Sequence, residues 1–262
     1  MFRRFFYEKK GHILSGKADV RQGDMERKWR HLAICLEVFC LVILCMQLGI
    51  KKADGKKTDE KKTDETKTEG EKNAEEHLPP RIALTFDDGP NSRYTPLILK
   101  GLKERDIQAS FFLMGQNLRG NEDLVRQMQR DGHLIGNHTY HHVELDKITE
   151  EEAIREIRDT NEEIYEITGI YPSYVRPPYG AWKKNLDFAV RMYPVLWDID
   201  TLDWKSQNVE FVLQIILSQV KDGAVILMHD SYQSSVDAAL CIVDILKCQG
   251  YEFVTVDELI VL

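Results

Sequence analysis

The stretch IALTFDDGP, residues 82–90, decides the fold and the site of this chain. An apolar run leads directly into two adjacent carboxylates, Asp87 and Asp88, and Gly89-Pro90 then ends the strand. The open end of a rigid strand is a favourable place for reactive side chains. The alternative is a plain turn, in which the same residues serve only turn geometry. This stretch alone does not separate the two interpretations, so residues further along the chain must decide.

Short apolar runs alternate with helical patterns after Pro79-Pro80, which mark the start of the domain. Strands are predicted at 82–86, 109–113, 133–137, 173–176, 194–199, 224–228 and 252–256. Helices are predicted near 95–104, 121–131, 149–167, 183–192, 208–220 and 235–248. This alternation indicates a parallel α/β fold, either open or closed into a barrel. Because the domain is short for a full eight-fold barrel, we expect a distorted, incomplete (β/α) barrel.

Charge is unevenly distributed along the 262 residues. Residues 1–30 carry nine Lys/Arg and four Asp/Glu, whereas residues 81–262 carry 18 Lys/Arg and 29 Asp/Glu. An acidic domain argues against nucleic acid as a partner, because phosphate binding needs a basic surface. Cys241 and Cys248 are seven residues apart on a predicted helix, which is too far for a mutual disulfide. We therefore expect buried thiols and no disulfide framework.

The apolar run LAICLEVFCLVILCMQLGI at 32–50 predicts a transmembrane signal-anchor helix over residues 31–50. As a helix the run spans about 28 Å, close to the ~30 Å hydrocarbon core of a bilayer. A cleavable signal peptide and a buried core helix are the alternatives. The long basic lead and the absence of a small-x-small site before Lys51 argue against cleavage. The basic N-terminal flank favours a cytoplasmic N-terminus and an extracellular domain. Lys51 and Lys52, on the other side of the helix, weaken the argument for that orientation.

The segment between this helix and the domain is strongly charged. It has no aromatic side chain and contains a tandem repeat, KKTDE at 56–60 and again at 61–65. Such a composition cannot bury enough apolar surface to fold, so a disordered linker is predicted, with a single exposed helix as the alternative. The predicted organisation is a basic cytoplasmic segment, an anchor, a linker and a catalytic domain, at residues 1–30, 31–50, 51–80 and 81–262.

Two histidines four residues apart, His138 and His142, lie in the stretch GNHTYHH that follows the third predicted strand. One helical turn or a tight loop would direct both imidazoles at one metal ion. No Glu lies between them, so the pair lacks the base of a zinc-protease helix. One Asp and an open water position would complete a catalytic set of the zinc type. Asp88 is the natural third ligand, which leaves Asp87 free.

Three further stretches place polar residues at predicted strand ends. The first, RPPYG at 176–180, is either a rigid loop or a site where Arg176 holds a carboxylate and the backbone donates to an oxyanion. The second, WDIDTLDW at 197–204, holds three acids and is also consistent with a solvated strand exit. In the third, VILMHD at 225–230, His229 ends an apolar strand, and this position favours a functional side chain.

Taken in order, TFDDGP, HTYHH, RPPYG, DTLDW and LMHD resemble the five motifs of the polysaccharide deacetylases. This is carbohydrate esterase family four, with a NodB-like domain, and it includes the peptidoglycan N-acetylglucosamine deacetylases. The resemblance covers about residues 80–262, and no motif residue is missing. It implies a distorted (β/α) barrel, which agrees with the expectation from domain length.

The resemblance also implies chemical roles for the motif residues. A divalent metal, commonly zinc with cobalt, manganese or nickel as alternatives, would bind Asp88, His138 and His142. Asp87 would be the general base that activates water. His229 would be the general acid that protonates the leaving amine.

Five more residues would support this chemistry by the same resemblance. Asp203 would orient and tune the general acid, and Arg176 would do the same for the general base. The backbone N–H of Tyr179 would stabilise the oxyanion. Trp204 and Leu227 would form the wall of the pocket around the acetyl methyl group.

These expectations describe a metal-dependent hydrolase that removes N-acetyl groups from amino sugars of a cell-surface polysaccharide, with peptidoglycan N-acetylglucosamine as the first choice. A domain tethered to a membrane reaches cell-surface glycans, which motivates that choice. The alternatives are an O-acetyl esterase acting on an acetylated polysaccharide and a non-catalytic glycan-binding module. We expect a monomer anchored by a single pass in the cell membrane, with its catalytic domain outside.

Overall fold

Eight parallel strands form one curled sheet in the computed structural model, which describes residues 78–183, 186 and 190–260. The strands are β1 Arg81–Asp87, β2 Ser110–Leu113, β3 Leu134–Asn137, β4 Tyr174–Val175, β5 Tyr193–Pro194, β6 Ile199–Asp200, β7 Val225–His229 and β8 Glu252–Phe253. Their order is β5-β4-β3-β2-β1-β7-β6, and β8 pairs with the beginning of β1. Within the described residues no ladder joins β5 to β6. The predicted distorted, incomplete (β/α) barrel is therefore confirmed.

Helices connect most of the successive strands, as is usual in a parallel sheet. They are α1 Thr95–Lys103, α2 Glu122–Arg130, α3 Glu150–Thr168, α4 Asp203–Ser206, α5 Val209–Gln219, α6 Gln233–Cys248 and α7 Val256–Ile260. Two single turns of 3₁₀ helix occur at Gly115–Asn117 and Pro178–Gly180. The short helices α4 and α7 and both 3₁₀ turns were not predicted, because segments of three to five residues carry no measurable hydrophobic period.

The strand β1 lies at the centre of the sheet, between β2 and β7. Every residue from Ile82 to Asp87 is buried, because both faces of a parallel sheet are covered. The strand register places Asp87 beside Phe112 of β2 and beside His229 of β7. The carboxyl ends of these strands therefore meet at one edge of the sheet.

The longest described helix, α3, is fixed at both ends. Thr149 and Glu152 form a capping box at its start, and Gly169 ends it in the left-handed conformation with φ 73°. Its buried residues recur every three or four positions, which is the spacing of one helical face: Ala153, Ile157, Thr160 and Ile164. This face packs against the sheet beside β3 and β4.

One predicted strand was wrong. The stretch 194–199 forms two separate strands of two residues each, β5 and β6, which pair with β4 and β7 on opposite sides of the sheet. The carbonyls of Val195 and Leu196 accept hydrogen bonds from the Arg176 guanidinium instead of continuing a ladder. The chain therefore leaves one edge at Pro194 and joins the other at Ile199.

The remaining predictions fall partly outside the described residues. Half of the predicted helix 183–192, the anchor 31–50 and nearly all of the linker 51–80 lie there. Within the described part of the chain, none of the helices combines the length and the apolarity needed to cross a membrane. The other predicted helices and strands lie within a few residues of the observed ones.

Candidate active site

A cavity of about 370 Å³ opens where the carboxyl ends of β1, β3 and β7 converge. Eight of the ten predicted site residues line it: Asp87, Asp88, His138, His142, Tyr179, Trp204, Leu227 and His229. The other two, Arg176 and Asp203, are buried behind its wall and contact lining residues. The structure thus brings together the whole predicted set.

Three of these residues form a compact cluster of potential metal ligands. One donor atom each from Asp88, His138 and His142 lies within 4.8 Å of the others. Asp88 Oδ1 is 3.4 Å from Nε2 of each histidine. Asp88 and His142 both have positive φ, 70° and 59°, so sharp turns of the backbone aim these side chains inward.

The donor chemistry of the cluster fits a divalent cation. His138 Nδ1 lies 2.6 Å from the carbonyl oxygen of Arg176 and donates to it, so the Nε2 lone pair faces Asp88. Asp88 Oδ1 is buried and has no hydrogen-bond partner among the described residues. Two imidazole nitrogens and an unpartnered carboxylate oxygen match the ligand types that zinc and similar ions prefer.

The charge states of these ligands also suit metal binding. Burial alone would raise the pKa of Asp88, but the proximity of His138 and of the other imidazoles, His142 and His229, holds it below its ordinary value. Burial, followed by the charge on His138, lowers the pKa of His142. The carboxylate is therefore ionised and the His142 imidazole neutral near neutral pH, as ligands must be.

Asp87 is held apart from this cluster by a buried guanidinium. Arg176 is fully buried, and its Nη1 donates to Asp87 Oδ1 at 2.9 Å and to Thr85 Oγ1 at 2.6 Å. The guanidinium carbon also lies 4.2 Å from the centre of the Phe112 ring. Asp87 Oδ2 is 3.7 Å from Nε2 of His138. One oxygen of Asp87 is thus fixed by Arg176, and the other faces the cluster.

On the opposite side of the cavity, His229 pairs with a buried carboxylate. Asp203 Oδ1 lies 2.8 Å from His229 Nδ1, and Oδ2 accepts the His229 backbone N–H at 2.9 Å. Burial alone would lower the pKa of His229, but Asp203, with smaller contributions from Asp87 and Asp88, raises it to about 9. The imidazole is therefore protonated at neutral pH. Its Nε2 lies 4.0 Å from Asp88 Oδ2.

Aromatic and apolar side chains form the rest of the wall. Tyr179 has φ 58°, is 66% exposed, and its ring centre lies 4.8 Å from that of His142. Trp204 is 47% exposed at the rim, whereas Leu227 of β7 is buried at the base. A small apolar group beside the cluster would contact these surfaces.

Several residues at the site were missed by the sequence analysis. The cavity is also lined by Trp197, Asp200, Ser231 and Tyr232. Asn117, in the turn after β2, donates from Nδ2 to the backbone carbonyl of Asp88 at 2.8 Å. Ser231 and Tyr232 follow directly after the tip of β7, so their position along the chain was a usable signal. Asn117 carried no such signal, because its contact with Asp88 depends on how two loops meet.

Asp230 is a second buried carboxylate next to His229. It accepts a hydrogen bond from Thr95 Oγ1 through Oδ2, while its Oδ1 has no partner among the described residues. Burial is the main reason that its pKa is raised to about 7. A Cβ atom at Gly89 would lie 2.6 Å from Asp230 Oδ2, so this close approach requires glycine. Gly89 therefore serves packing as well as the turn.

A distorted (β/α) barrel whose strand tips gather a metal-ligand cluster, a separate carboxylate and a protonated histidine has the arrangement of a metal-assisted hydrolase. The family model described as "Polysaccharide deacetylase" matches residues 74–195. Together with the relatives below, this match shows that the chain belongs to the polysaccharide deacetylase family.

Several relatives of this chain are named peptidoglycan deacetylases. The chain is 40% identical over 179 residues to the peptidoglycan-N-acetylglucosamine deacetylase PgdA of Listeria monocytogenes, which covers 68% of this chain and 38% of PgdA. It is 38% identical over 189 residues to the peptidoglycan-N-acetylglucosamine deacetylase of Bacillus cereus, and the match covers 68% of this chain and 67% of that protein. The solved structure of the peptidoglycan deacetylase PdaC from Bacillus subtilis aligns with a TM-score of 0.67 at 40% identity, covering 69% of this chain and 90% of that one.

Proposed function

We propose that this chain is a metal-dependent deacetylase that hydrolyses N-acetyl groups on amino sugars of a cell-surface polysaccharide, with peptidoglycan N-acetylglucosamine as the first substrate. One observation carries the proposal: a single cavity holds a metal-ligand cluster, a carboxylate fixed by Arg176 and a histidine whose protonated form is stabilised by Asp203. The names of the relatives support the choice of substrate, although the chain spans only 38% of the length of PgdA.

Asp88, His138 and His142 would hold the metal. Zinc is our first choice, because two imidazoles and one carboxylate suit it, and cobalt, manganese and nickel accept similar ligands. When bound, the ion would supply Lewis acidity, which polarises a carbonyl and makes water a stronger nucleophile at neutral pH.

The protein groups then divide the proton transfers between them. Asp87 accepts the proton of the attacking water through the oxygen that Arg176 leaves free. The new bond joins the water oxygen to the acetyl carbon, and the bond from that carbon to the sugar nitrogen breaks. His229 donates its Nε2 proton to the departing nitrogen, so the products are acetate and a free amine. Asp203 holds the imidazole in the orientation and charge state that this transfer needs.

The cavity wall would orient the acetyl group. The backbone N–H of Tyr179 would donate to the developing oxyanion, and Trp204 and Leu227 would enclose the acetyl methyl group. The positions of these residues around the cluster and the family to which the chain belongs support the three proposed roles.

The location of the enzyme follows from its predicted topology. We propose a single-pass protein of the cell membrane, anchored through residues 31–50, with a monomeric catalytic domain outside the cell. The acidic domain, with 18 Lys/Arg and 29 Asp/Glu, disfavours nucleic acid as a partner.

A substrate panel with acetate detection tests this proposal. Purified protein is incubated with zinc and either N-acetylated peptidoglycan, chitin oligosaccharides or an O-acetylated polysaccharide, and released acetate is quantified by chromatography. We expect release from the N-acetylated substrates, with peptidoglycan the best. Release from the O-acetylated polymer alone would support an esterase instead. Glycan binding without acetate release, whichever divalent metal is added, would support a non-catalytic module.

A further inference from the structure

The loop that carries the two histidine ligands has a strained backbone. Thr139 and His142 both have positive φ, 64° and 59°, although neither is glycine. Such conformations typically cost about 1–3 kcal/mol each and persist only where the surroundings impose them. The spacing of the two imidazoles therefore depends on contacts made by the residues between them.

A single carboxylate on α3 makes three of those contacts. Glu156 Oε2 accepts the backbone N–H groups of Tyr140 at 3.0 Å and of His141 at 2.7 Å. Its Oε1 lies 2.8 Å from Nδ1 of the exposed His141 side chain. The Glu156 side chain is 16% exposed, so water competes little for these bonds. Two of the three residues between the histidines of the ligand loop, 138–142, are thus tied to the same helix.

The same helix also supports the start of the loop. Asn137 Nδ2 donates to the Ile157 carbonyl at 2.8 Å and to Asn161 Oδ1 at 2.7 Å, which fixes the amide. Asn137 Oδ1 then accepts the backbone N–H of Thr139 at 2.7 Å. Three successive backbone N–H groups, at Thr139, Tyr140 and His141, are therefore satisfied by side chains that are held by or belong to α3.

We propose that Glu156 is a positioning residue for the metal site, and that the affinity for a divalent cation depends on its clamp across the ligand loop. The inference rests on the proposed function of Asp88, His138 and His142 as ligands. Glu156 touches none of the three and acts through the loop between the two histidines. Removing it leaves two N–H groups without an acceptor and lets the strained loop relax, which separates the imidazoles.

Metal titration of the full-length chain tests this inference. Metal-stripped wild type and Glu156→Ala are titrated with Zn²⁺ by calorimetry, and the visible spectrum of each Co²⁺ form reports ligand geometry. We expect Glu156→Ala to weaken binding about 10- to 100-fold, the usual effect of losing an outer-shell partner, and to alter the cobalt spectrum. Glu156→Gln keeps one carbonyl oxygen as acceptor, so its zinc Kd should lie between those of the wild type and Glu156→Ala.

Two control variants separate positioning from general stability. Glu152→Ala removes the capping box of the same helix without touching the ligand loop, so it should lower the Tm of the metal-free protein and leave the Kd for zinc unchanged. His141→Ala removes the side-chain contact but keeps both backbone bonds, so its Kd should stay within about twofold of wild type.

Three results would overturn the inference. The first is a zinc Kd of Glu156→Ala equal to that of the wild type, and the second is a cobalt spectrum of Glu156→Ala that does not change. The third is a Glu152→Ala variant that binds zinc as weakly as Glu156→Ala when both have lost the same Tm. If Glu156→Ala does not fold, Glu156→Gln decides by the same criteria. Failure of the wild type to bind any divalent metal would instead overturn the proposed function together with this inference.

Discussion

At the scale of single residues, two adjacent aspartates acquire different tasks from their surroundings. Asp88 faces His138 and His142, whereas Asp87 is bonded to Arg176. The histidine pair, which needs a third ligand, and the motif resemblance both predicted this division. The positive φ of Asp88 turns its side chain away from that of Asp87. No local sequence pattern predicted a positive φ at this residue.

The variant Asp87→Asn tests this division. An amide cannot accept the proton of the attacking water, so acetate release should fall about 10²-fold or more. The zinc content and the zinc Kd should stay close to wild type, because Asp87 is not one of the three clustered ligands. The fully exposed Asp123→Asn is the matched control and should keep full activity. Loss of zinc together with activity would show that Asp87 is a ligand.

At the scale of helices and strands, sequence patterns located the long, regular elements well. The strand β1 and the helices α3 and α6 have continuous apolar runs or clear helical periods, so local sequence determines them. The two-residue strands β5 and β6 were not predictable, because their pairing depends on β4 and β7 and on the carbonyl contacts of Arg176. Such pairing is decided by the tertiary fold.

The packing of β3 against β2 offers a test at this scale. A Cβ atom at Gly136 would lie 2.5 Å from the Phe112 ring, on which the Arg176 guanidinium rests. We expect Gly136→Ala to lower the free energy of unfolding by about 1–3 kcal/mol through overpacking, as measured by urea denaturation. Ser218→Ala, on the exposed part of α5, should change it by less than about 0.5 kcal/mol. If Gly136→Ala left the free energy of unfolding unchanged, the Phe112 ring would have to be able to move aside.

At the scale of the whole molecule, two groups at the tip of β7 make stability depend on pH. The pKa of His229 is raised to about 9, so its stabilisation is complete below about 6.5 and is lost as the pH rises through 9. The pKa of Asp230 is raised to about 7, so the folded state keeps a proton that the unfolded chain releases near pH 4. Both groups make the folded state bind more protons, so the stabilisation that each contributes falls as pH rises.

Unfolding of the metal-free protein between pH 5 and 9 measures this effect. His133, whose pKa burial lowers to about 4, acts in the opposite direction to Asp230 below about pH 6.5. We therefore expect the free energy of unfolding of the wild type to change little between pH 5 and 6.5 and to decrease between pH 7 and 9. Asp230→Asn cannot ionise, so its free energy of unfolding should rise between pH 5 and 6.5 and still decrease between pH 7 and 9. The same pH dependence below pH 7 in Asp230→Asn and in the wild type would contradict the assignment to Asp230.

The arrangement of the molecule was predictable where ordered motifs covered it. Five motifs at strand ends predicted the ten site residues, and the structure brings all ten to one cavity or its immediate support. Contacts between distant loops, such as Asn117 with Asp88, appeared only with the fold. The anchor and the linker lie outside the described residues and stay predictions.

The central claim is that acetate is released from N-acetylated glycan only when the Asp88, His138 and His142 cluster holds a metal. The most direct measurement quantifies acetate and new free amines from peptidoglycan, with wild-type protein before metal removal, after it, and after zinc is added back. We predict equal amounts of both products, loss of both after removal, and recovery with zinc. Full release by the metal-stripped protein, or no release from any N-acetylated glycan with metal present, would contradict the claim.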